Sequence, residues 1–361
     1  MVQTEMNSIN TDSLSADRAA VSFGNISLRL GLMLSPMAGV TDSAMRILCS
    51  RNGAEYAVTE MVSAKALVYE QNSRSSAPAK TAELCRISTD ENIPTAVQLF
   101  GSDPAFIAEA ARLISTASYR SFTGRRADAI DINMGCPVKK VVSCGEGSAL
   151  MSDPDLIMRI VEATVRASSL PVTVKLRAGR DISHINAPEC AAAAEAGGAS
   201  AVCVHARTAS QFYAPGIMMS VIGEVKNRVS VPVFGNGDIR SPSDALIMLR
   251  ETGCDGVAVG RGSIGNPWIF GDIASAIEKG TLPDRERTPE ELLETALTLL
   301  RMSVAEKGEK RGVAESKYSL SHFVKGLRGA SEARARIMSA SSSAEIAEAL
   351  TLLLSGQKGP E

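Results

Sequence analysis

The segment AIDINMGCPVKK (residues 129–140) contains the pattern on which the fold of this chain depends. A short apolar run, Ala129–Asn133, ends at an asparagine, and a polar loop follows in which Cys136 stands between a glycine and a proline. Short apolar runs bounded by turn residues predict strands that are buried on both faces of a parallel sheet. The loop after the strand has no use in a core, and its composition indicates a functional site.

The same unit recurs along the chain. The predicted helices between the strands include Pro104–Ser115, Asp155–Ala167 and Ser243–Glu251. The segment VSFGNISLRLG (21–31) predicts a small hairpin with Gly24-Asn25 at its turn. The candidate strands are Leu32–Leu34, Tyr56–Thr59, Thr95–Leu99, Ala129–Asn133, Val172–Lys175, Ala201–His205, Val231–Asn236 and Gly256–Gly260.

Eight strands that alternate with helices over roughly 250 residues predict a (β/α)₈ TIM barrel of the α/β class. A doubly wound open sheet is the main alternative, but strict alternation over eight units favours closure. After Trp268-Ile269-Phe270 the alternation stops, and residues 288–354 show helical periodicity only. We therefore predict a disordered tail (1–20), a barrel domain (21–285) and a small C-terminal helical domain (286–361).

The composition limits the possible functions. The formal net charge is −2, so any site for a polyanion must be a local patch. The most basic long stretch, Arg301–Arg336, holds nine Lys or Arg against four Glu. The seven cysteines are scattered and form no CxxC pair, which argues against a zinc site and indicates a reducing compartment. With a polar N-terminus and no apolar run of membrane length, we expect a cytoplasmic monomer that binds neither metal nor membrane.

Polar residues occupy the carboxyl ends of six predicted strands. In a barrel these ends face one mouth, so together they predict a ligand site. Taken singly each has an ordinary explanation: His205 could be an interior histidine and Lys175 a surface lysine. The strand-end residues are Gln98, Asn133, Lys175, His205, Asn236 and the pair Gly260-Arg261.

These residue types indicate a planar, anionic ligand. The amides of Gln98 and Asn133 suit the edges of a ring, while Lys175 and His205 suit a negative charge on it. GNGDI (235–239) and GRGSIG (260–265) follow strands seven and eight, where barrel loops commonly bind phosphate. Together these features predict flavin mononucleotide (FMN). GRGSIG also fits the Rossmann pattern G-x-G-x-x-G, but it follows the eighth unit instead of opening a first βαβ unit.

At these residues the sequence resembles the tRNA-dihydrouridine synthases, flavoenzymes that consist of a barrel and a C-terminal helical domain, and the bacterial B-type branch is the most similar. The resemblance covers residues 22–337. Its motifs are LSPMAGVTDSAMR (34–46), VQLFGSDP (97–104), DINMGCPVKK (131–140), GEGSALM (145–151), VKLRAG (174–179), VHART (204–208), GNGDI (235–239), GRGSIGNPWIF (260–270) and KGLRGASEARARI (325–337).

The resemblance implies a role for each matching residue. Pro36, Met37 and Ala38 would pack on the flavin, and Gln98, Lys175 and His205 would contact its rings. Cys136 would be the catalytic acid, Asn133 and Arg207 would face the substrate, and NADPH would supply the hydride. The flavin phosphate would be held by Asn236, Gly237, Asp238, Gly260 and Arg261. Basic residues expected to contact RNA are Lys139, for which a solvated surface is a near-equal alternative, Lys325 and Arg334.

Three features depart from the family pattern. Lys317-Tyr318-Ser319 stands where an Arg-Lys-His run is usual, and Arg180 replaces a more common aromatic residue. The insertion SYRSFTGRR (118–126) lengthens the approach to the fourth strand. We expect all three on the side that faces RNA.

The proposed reaction explains the cysteine loop. Reduction of uracil needs a hydride at C6 and a proton at C5, and a thiol with a pKa near about 8.5 can supply that proton. The alternative for Cys136 is a small packing residue. Gly145 and Gly147 are interpreted as hinges of a lid. Two other functions stay open at this point: a small-molecule FMN oxidoreductase resembling dihydroorotate dehydrogenases, and an RNA-binding protein with a decayed barrel.

Overall fold

The structure, a computed structural model of the chain, describes residues 19–73, 79–119, 122–283 and 286–356. The predicted tail therefore lies outside the described residues except for its last two, and the predicted domain boundary falls beside residues 284–285, which also lie outside. The strands are β1 (Val21–Phe23), β2 (Ile26–Leu28), β3 (Leu32–Leu34), β4 (Tyr56–Ser63), β5 (Thr95–Phe100), β6 (Ala129–Asn133), β7 (Val172–Asp181), β8 (His184–Ile185), β9 (Ala201–Thr208), β10 (Val233–Asn236) and β11 (Gly256–Val259).

Eight of these strands form a closed parallel barrel. Their order is β6-β5-β4-β3-β11-β10-β9-β7, and β6 pairs again with β7 to close the ring. Each barrel strand corresponds to one predicted apolar run, so the predicted TIM barrel is confirmed. The short β8 is an antiparallel addition to the end of β7, with Gly179 opposite Ile185.

The helices surround the barrel and then continue as a separate group. The boundaries follow from local signals: Asp103 caps α4 and Asp153 caps α6, each followed by proline at the first helical position. The helices are α1 (Ser43–Arg51), α2 (Ala64–Asn72), α3 (Lys80–Glu83), α4 (Pro104–Ser115), α5 (Lys139–Val142), α6 (Pro154–Ala167), α7 (Ala187–Ala196), α8 (Met219–Arg228), α9 (Pro242–Thr252), α10 (Ile269–Lys279), α11 (Pro289–Lys307), α12 (Glu309–Phe323), α13 (Ala330–Ser339) and α14 (Ser343–Leu354).

The β1–β2 hairpin closes the amino-terminal end of the barrel. Phe23 packs edge-on against Tyr56 and Phe234, with ring centroids 5.3 and 6.0 Å apart. These rings form one buried cluster with small residues such as Ala129 and Ala258. This end is filled with side chains, and in the described part of the barrel the space for a ligand lies at the carboxyl ends of the strands.

The four helices after the barrel form a bundle with its own apolar core, which includes Leu300, Leu320 and Leu350. A capping box at Thr288 and Glu291 starts α11 at the predicted position. Lys307 of α11 forms an ion pair with Asp42, the residue that caps α1. Such contacts place the bundle beside the loops at the mouth of the barrel.

The placement of one departure from the family pattern was predicted incorrectly. The insertion 118–126, of which residues 120–121 lie outside the described residues, connects the end of α4 to the start of β6. It therefore lies at the amino ends of the strands, opposite the mouth. Phe122 packs against the apolar core, and Gly124 pairs with Ile87. In the described part of this insertion Phe122 packs inward, while Arg126 is exposed on the side away from the mouth.

Candidate active site

The carboxyl ends of the barrel strands surround a pocket of about 670 Å³. This volume lies in the usual range for a small-molecule or cofactor site. All of the polar strand-end residues that the sequence analysis singled out line it, so the expected convergence is present in the structure. They are Gln98, Asn133, Lys175, His205, Asn236, Gly260 and Arg261.

One wall comes from the loop between β3 and α1. Pro36, Met37 and Ala38 line the pocket as expected. The loop is a compact turn, because the N–H groups of Val40 and Thr41 both donate to the carbonyl oxygen of Met37, at 3.1 and 3.0 Å. The result is a small, largely apolar surface suited to the face of a planar ring.

Lys175 and His205 lie side by side deep in the pocket. Lys175 Nζ donates to Asn236 Oδ1 at 3.0 Å, and Asn236 in turn donates to the carbonyl of Ala258 at 2.7 Å. Burial, with the charges of Lys175 and three arginines, lowers the pKa of His205 to about 2. The imidazole is therefore neutral at neutral pH, and burial also lowers the pKa of Lys175.

A chain of hydrogen bonds connects the interior of the barrel to the cysteine loop. Thr173 Oγ1 donates to Asp131 Oδ1 at 2.6 Å, and Gln98 Nε2 donates to Asp131 Oδ2 at 2.7 Å. Asn133 Nδ2 donates to Gln98 Oε1 at 3.0 Å, and Asn133 Oδ1 accepts from the N–H of Cys136 at 2.9 Å. Burial raises the pKa of Asp131, against the opposing effect of these hydrogen bonds. Sequence analysis missed Asp131, since within an apolar strand it reads as a structural residue.

Cys136 lines the pocket and is partly buried. Its carbonyl oxygen accepts from the N–H of Ser148 at 3.0 Å. Gly147 packs directly behind it, with φ of 60°, and a Cβ there would lie 2.7 Å from that oxygen. Gly147 is therefore a position of close packing against Cys136, which the interpretation as a hinge did not anticipate.

Arg177 is the main site residue that sequence analysis missed. It lines the pocket, although its side chain is almost fully buried. Its guanidinium donates to the carbonyls of Gly135, Thr208 and Phe212 at 2.7, 2.8 and 3.0 Å, so it connects the cysteine loop to the loop after β9. Burial lowers its pKa to about 10, and the guanidinium, which interacts electrostatically with Cys136, stays charged at neutral pH.

A cluster of arginines lies at the other end of the pocket. Asp238 forms ion pairs with Arg207, Arg240 and Arg261, so three positive charges face one carboxylate. Burial acts to raise the pKa of Asp238, but the hydrogen bond and charge of Arg207 and the other two arginines leave it lowered. The two glycine-rich loops meet here, since a Cβ on Gly262 would lie 2.1 Å from the carbonyl oxygen of Ile239. The surplus of positive charge suits a bound phosphate.

Arg207 was predicted to face the substrate, and the structure places it beside Asp238. Its side chain is 1% exposed and does not line the pocket. It donates to the carbonyl of Ala214 at 2.7 Å and forms the ion pair with Asp238. These two partners hold Arg207 behind the pocket wall, and its contact with the substrate remains a prediction.

The three lysine and arginine residues that were expected to contact RNA lie outside the pocket. Lys139 is exposed at the start of α5, just beyond the cysteine loop. Lys325 and Arg334 are exposed on the helical bundle, and neither forms an ion pair with another described residue. Their contacts with RNA remain predictions.

Two exposed tyrosines flank the mouth and were not predicted as site residues. Tyr213, in the loop after β9, lies under the guanidinium of Arg261 at 4.8 Å from its ring centroid. Tyr318 comes from α12, so the helical bundle contributes directly to the pocket. Tyr318 stands in the segment where the motif departs from the family pattern.

The described parts of the chain hold neither a metal-binding cluster nor a membrane-spanning helix. No group of three or more His, Cys, Asp or Glu residues there is arranged to hold a metal ion. No helix in those parts is both long and apolar enough to cross a membrane.

Comparison with known proteins identifies relatives that match most of this chain. The family model described as "Dihydrouridine synthase (Dus)" matches residues 33–355. A "tRNA-dihydrouridine synthase B" of Pseudomonas putida is 39% identical over 321 residues, which are 88% of this chain and 89% of that protein. A "Probable tRNA-dihydrouridine synthase" of Rickettsia bellii is 37% identical over 321 residues, with 88% and 92% of the two chains covered.

Two solved structures share the fold. Histamine dehydrogenase from a Rhizobium species has a TM-score of 0.55 at 15% identity, over 81% of this chain and 51% of that one. The amine oxidase for 6-hydroxypseudooxynicotine from Pseudomonas geniculata has a TM-score of 0.53 at 14% identity, over 75% and 50%. At these identities the likeness shows the fold alone.

Proposed function

This chain belongs to the dihydrouridine synthase family, and we propose that it reduces the C5=C6 bond of uridines in tRNA, with bound FMN, NADPH as hydride donor and Cys136 as general acid. The observation that carries the proposal is the composition of one pocket. Its walls combine a partly buried thiol, a lysine, a neutral histidine, two amides and a cluster of arginines at one end. Each part answers one requirement of this reaction.

The residues present suit FMN. The turn at Pro36–Ala38 supplies a flat surface for the ring system. Hydrogen-bonding groups for the edge of the ring system come from Lys175, Gln98, Asn133 and the neutral His205. Asn236, which orients Lys175, belongs to the same wall as Gly237, Gly260 and Arg261, where the positive charge would hold the phosphate. When bound and reduced by NADPH, FMN supplies the hydride that uracil receives at C6.

Cys136 would complete the reaction from the other side of the substrate ring. As negative charge builds on uracil, the Sγ–H bond breaks and the proton goes to C5. Asn133 holds the N–H of Cys136, and Ser148 holds its carbonyl, so the thiol is presented from a fixed loop. Arg177, which donates to the carbonyl of Gly135 at 2.7 Å, holds the same loop from behind.

The substrate base must leave its stack to enter this pocket, because the site lies inside the mouth of the barrel. The helical bundle would hold the remainder of the tRNA. In its basic stretch, Lys325 and Arg334 are exposed and form no ion pair with any described residue. Tyr318, also from the bundle, lines the edge of the pocket. A reductase of free pyrimidines would have no need of this second surface.

The test uses purified full-length protein and tRNA from cells that lack it. We expect a yellow protein that releases FMN on denaturation, is bleached by NADPH under anaerobic conditions and forms dihydrouridine in that tRNA, measured by nucleoside mass spectrometry. Free uridine and orotate are the controls. Turnover of the free pyrimidines but not of tRNA would favour the small-molecule reductase. A protein that cannot be reconstituted with FMN would refute the flavin assignment.

A further inference from the structure

The hydrogen-bond chain between the barrel interior and the cysteine loop has a fixed direction. At one end, the N–H groups of Gly135 and Cys136 lie 3.2 and 2.9 Å from Asn133 Oδ1. A backbone N–H can only donate, so Asn133 must turn its oxygen toward the loop. Its Nδ2 group then donates to Gln98, which accepts through its oxygen, Oε1, at 3.0 Å.

The other end of the chain requires an acceptor. Because Gln98 Oε1 faces Asn133, Gln98 Nε2 faces Asp131 and needs an oxygen there, which Asp131 Oδ2 supplies at 2.7 Å. The remaining carboxylate oxygen accepts from Thr173. A carboxylate is the one side chain that offers acceptors in both directions without a competing donor. Each amide nitrogen has one further N–H: Asn133 Nδ2 lies 3.9 Å from Met61 Sδ, a weak acceptor, and both amide residues line the pocket.

We propose that Asp131 is a positioning residue: it accepts from Gln98 and so holds both amides in the one direction that the loop N–H groups allow. By accepting from Gln98, it makes the pocket present N–H donors to the acceptor edge of a bound ring, and it makes Asn133 anchor the loop of Cys136. Asp131 is 1% exposed and does not line the pocket, so it acts only through these two residues. The proposal rests on the proposed function for the identity of the ring, FMN.

A purely structural role for Asp131 makes a different prediction. In that case, loss of either of its hydrogen bonds would lower stability, and FMN binding would follow stability. Thr173→Val is the matched control, because valine has nearly the shape of threonine and removes the hydrogen bond to Asp131 while the Gln98–Asn133 part of the chain stays intact. Asp131→Leu removes the acceptor itself, and Asp131→Asn keeps an oxygen that can face Gln98.

The first measurement is FMN affinity of the apo-protein, by quenching of FMN fluorescence. For Asp131→Leu we expect a Kd raised roughly 10- to 100-fold, because the buried Nε2 donor of Gln98 is left unpaired and Gln98 is no longer held in place. Asp131→Asn should stay within about threefold of wild type and Thr173→Val within about twofold, even where thermal stability falls. Hydrogen exchange at Gly135 and Cys136 should become faster in Asp131→Leu only. Equal Kd values in Asp131→Leu and wild type would overturn the proposal.

The second measurement keeps the proposal testable if Asp131→Leu does not fold. Neutron diffraction from perdeuterated crystals of the wild-type protein shows amide deuterium atoms directly. The deuterium atoms of Gln98 must lie toward Asp131, and those of Asn133 toward Gln98; the reverse orientation of either amide refutes the proposal. If wild type binds no FMN, the proposed function fails, while the neutron density still decides the direction of the chain.

Discussion

The side chain of Cys136 separates the two halves of the proposed reaction. Reduction of the flavin by NADPH needs no proton at uracil, whereas transfer of the hydride to uracil does. Cys136→Ala should therefore keep flavin content and NADPH-driven bleaching, while reoxidation of the flavin by tRNA slows about 10²- to 10⁴-fold. Anaerobic single-turnover oxidation of the pre-reduced flavin by unmodified tRNA measures this step.

A second substitution of Cys136 and a control substitution complete the test. Cys136→Ser should be almost as slow, because a hydroxyl is a much weaker acid than a thiol. Cys144→Ala should match wild type, since Cys144 is exposed and lies away from the pocket on the same loop. A Cys136→Ala protein that is reoxidised at the wild-type rate would exclude the thiol as the acid.

His205 makes the apo-protein sensitive to acid in a predictable direction. Its pKa is about 2 in the folded state against 6.5 for the free side chain. Between these two pH values the imidazole is protonated in the unfolded state but not in the folded state. The stabilisation that comes from keeping His205 neutral is therefore complete above about pH 6.5 and is lost as the pH falls. The free energy of unfolding should decline by up to about 1.4 kcal/mol per pH unit from this group.

Urea denaturation of the apo-protein between pH 7 and pH 4 tests the assignment. His205→Asn should show a shallower decline than wild type over this range, and His322→Asn should not. Equal slopes for wild type and His205→Asn would show that the imidazole is not held neutral by its surroundings.

At the scale of elements, the loop from β6 to α6 holds Cys136 by contact as well as by hydrogen bonds. Gly145 and Gly147 both have positive φ, 74° and 60°, but their surroundings differ. A Cβ at Gly145 would find no atom nearer than 4.0 Å, whereas at Gly147 it would lie 3.1 Å from Cys136 Cβ. The two glycines are therefore a matched pair that separates backbone strain from displacement of the thiol.

We expect Gly145→Ala to lower the free energy of unfolding by about 1 kcal/mol, from backbone strain alone. Gly147→Ala should lower it by about 2–4 kcal/mol, because overpacking adds to the strain. Only Gly147→Ala should also slow reoxidation of the reduced flavin by tRNA. Equal effects of both substitutions on that rate would mean that the contact behind Cys136 does not matter.

At the scale of the whole molecule, the charges are distributed unevenly. The chain has a formal net charge of −2, yet the helical bundle exposes Lys325 and Arg334. Other basic residues of the same stretch are already engaged: Lys307 pairs with Asp42, and Arg311 pairs with Glu83. These pairs join the bundle to the barrel, which leaves the unpaired residues as the better candidates for phosphate contacts.

The double variant Lys325→Ala/Arg334→Ala should bind tRNA more weakly and should retain FMN. Loss of two phosphate contacts should reduce the slope of log K against log salt by roughly 1.5–2. Binding at several salt concentrations measures both effects. The control is Arg250→Ala/Lys279→Ala, which removes two exposed cations at the other end of the barrel. If both double variants bind tRNA as wild type does, the RNA surface lies elsewhere.

Local patterns in the sequence were sufficient for the strands, the caps and the residues at the strand ends. Helix α4 has the predicted bounds, Pro104–Ser115, because Asp103 and the proline after it set its start through short-range hydrogen bonding and a fixed φ. Gln98, Lys175 and His205 could be placed at one mouth because parallel strands in a closed barrel must end on the same side.

What only the tertiary structure decided concerns polar groups whose partners are distant in sequence. The strand predicted as Val172–Lys175 continues to Asp181, because Arg177 is accommodated inside it by the carbonyls of Gly135, Thr208 and Phe212. A pattern of neighbouring residues marks a charged side chain as the end of a buried strand, since the sequence does not show the acceptors that make its burial possible. For the same reason Arg207 was expected at the substrate and lies instead against Asp238. Asp131 was passed over although it accepts from Gln98, which in turn accepts from Asn133.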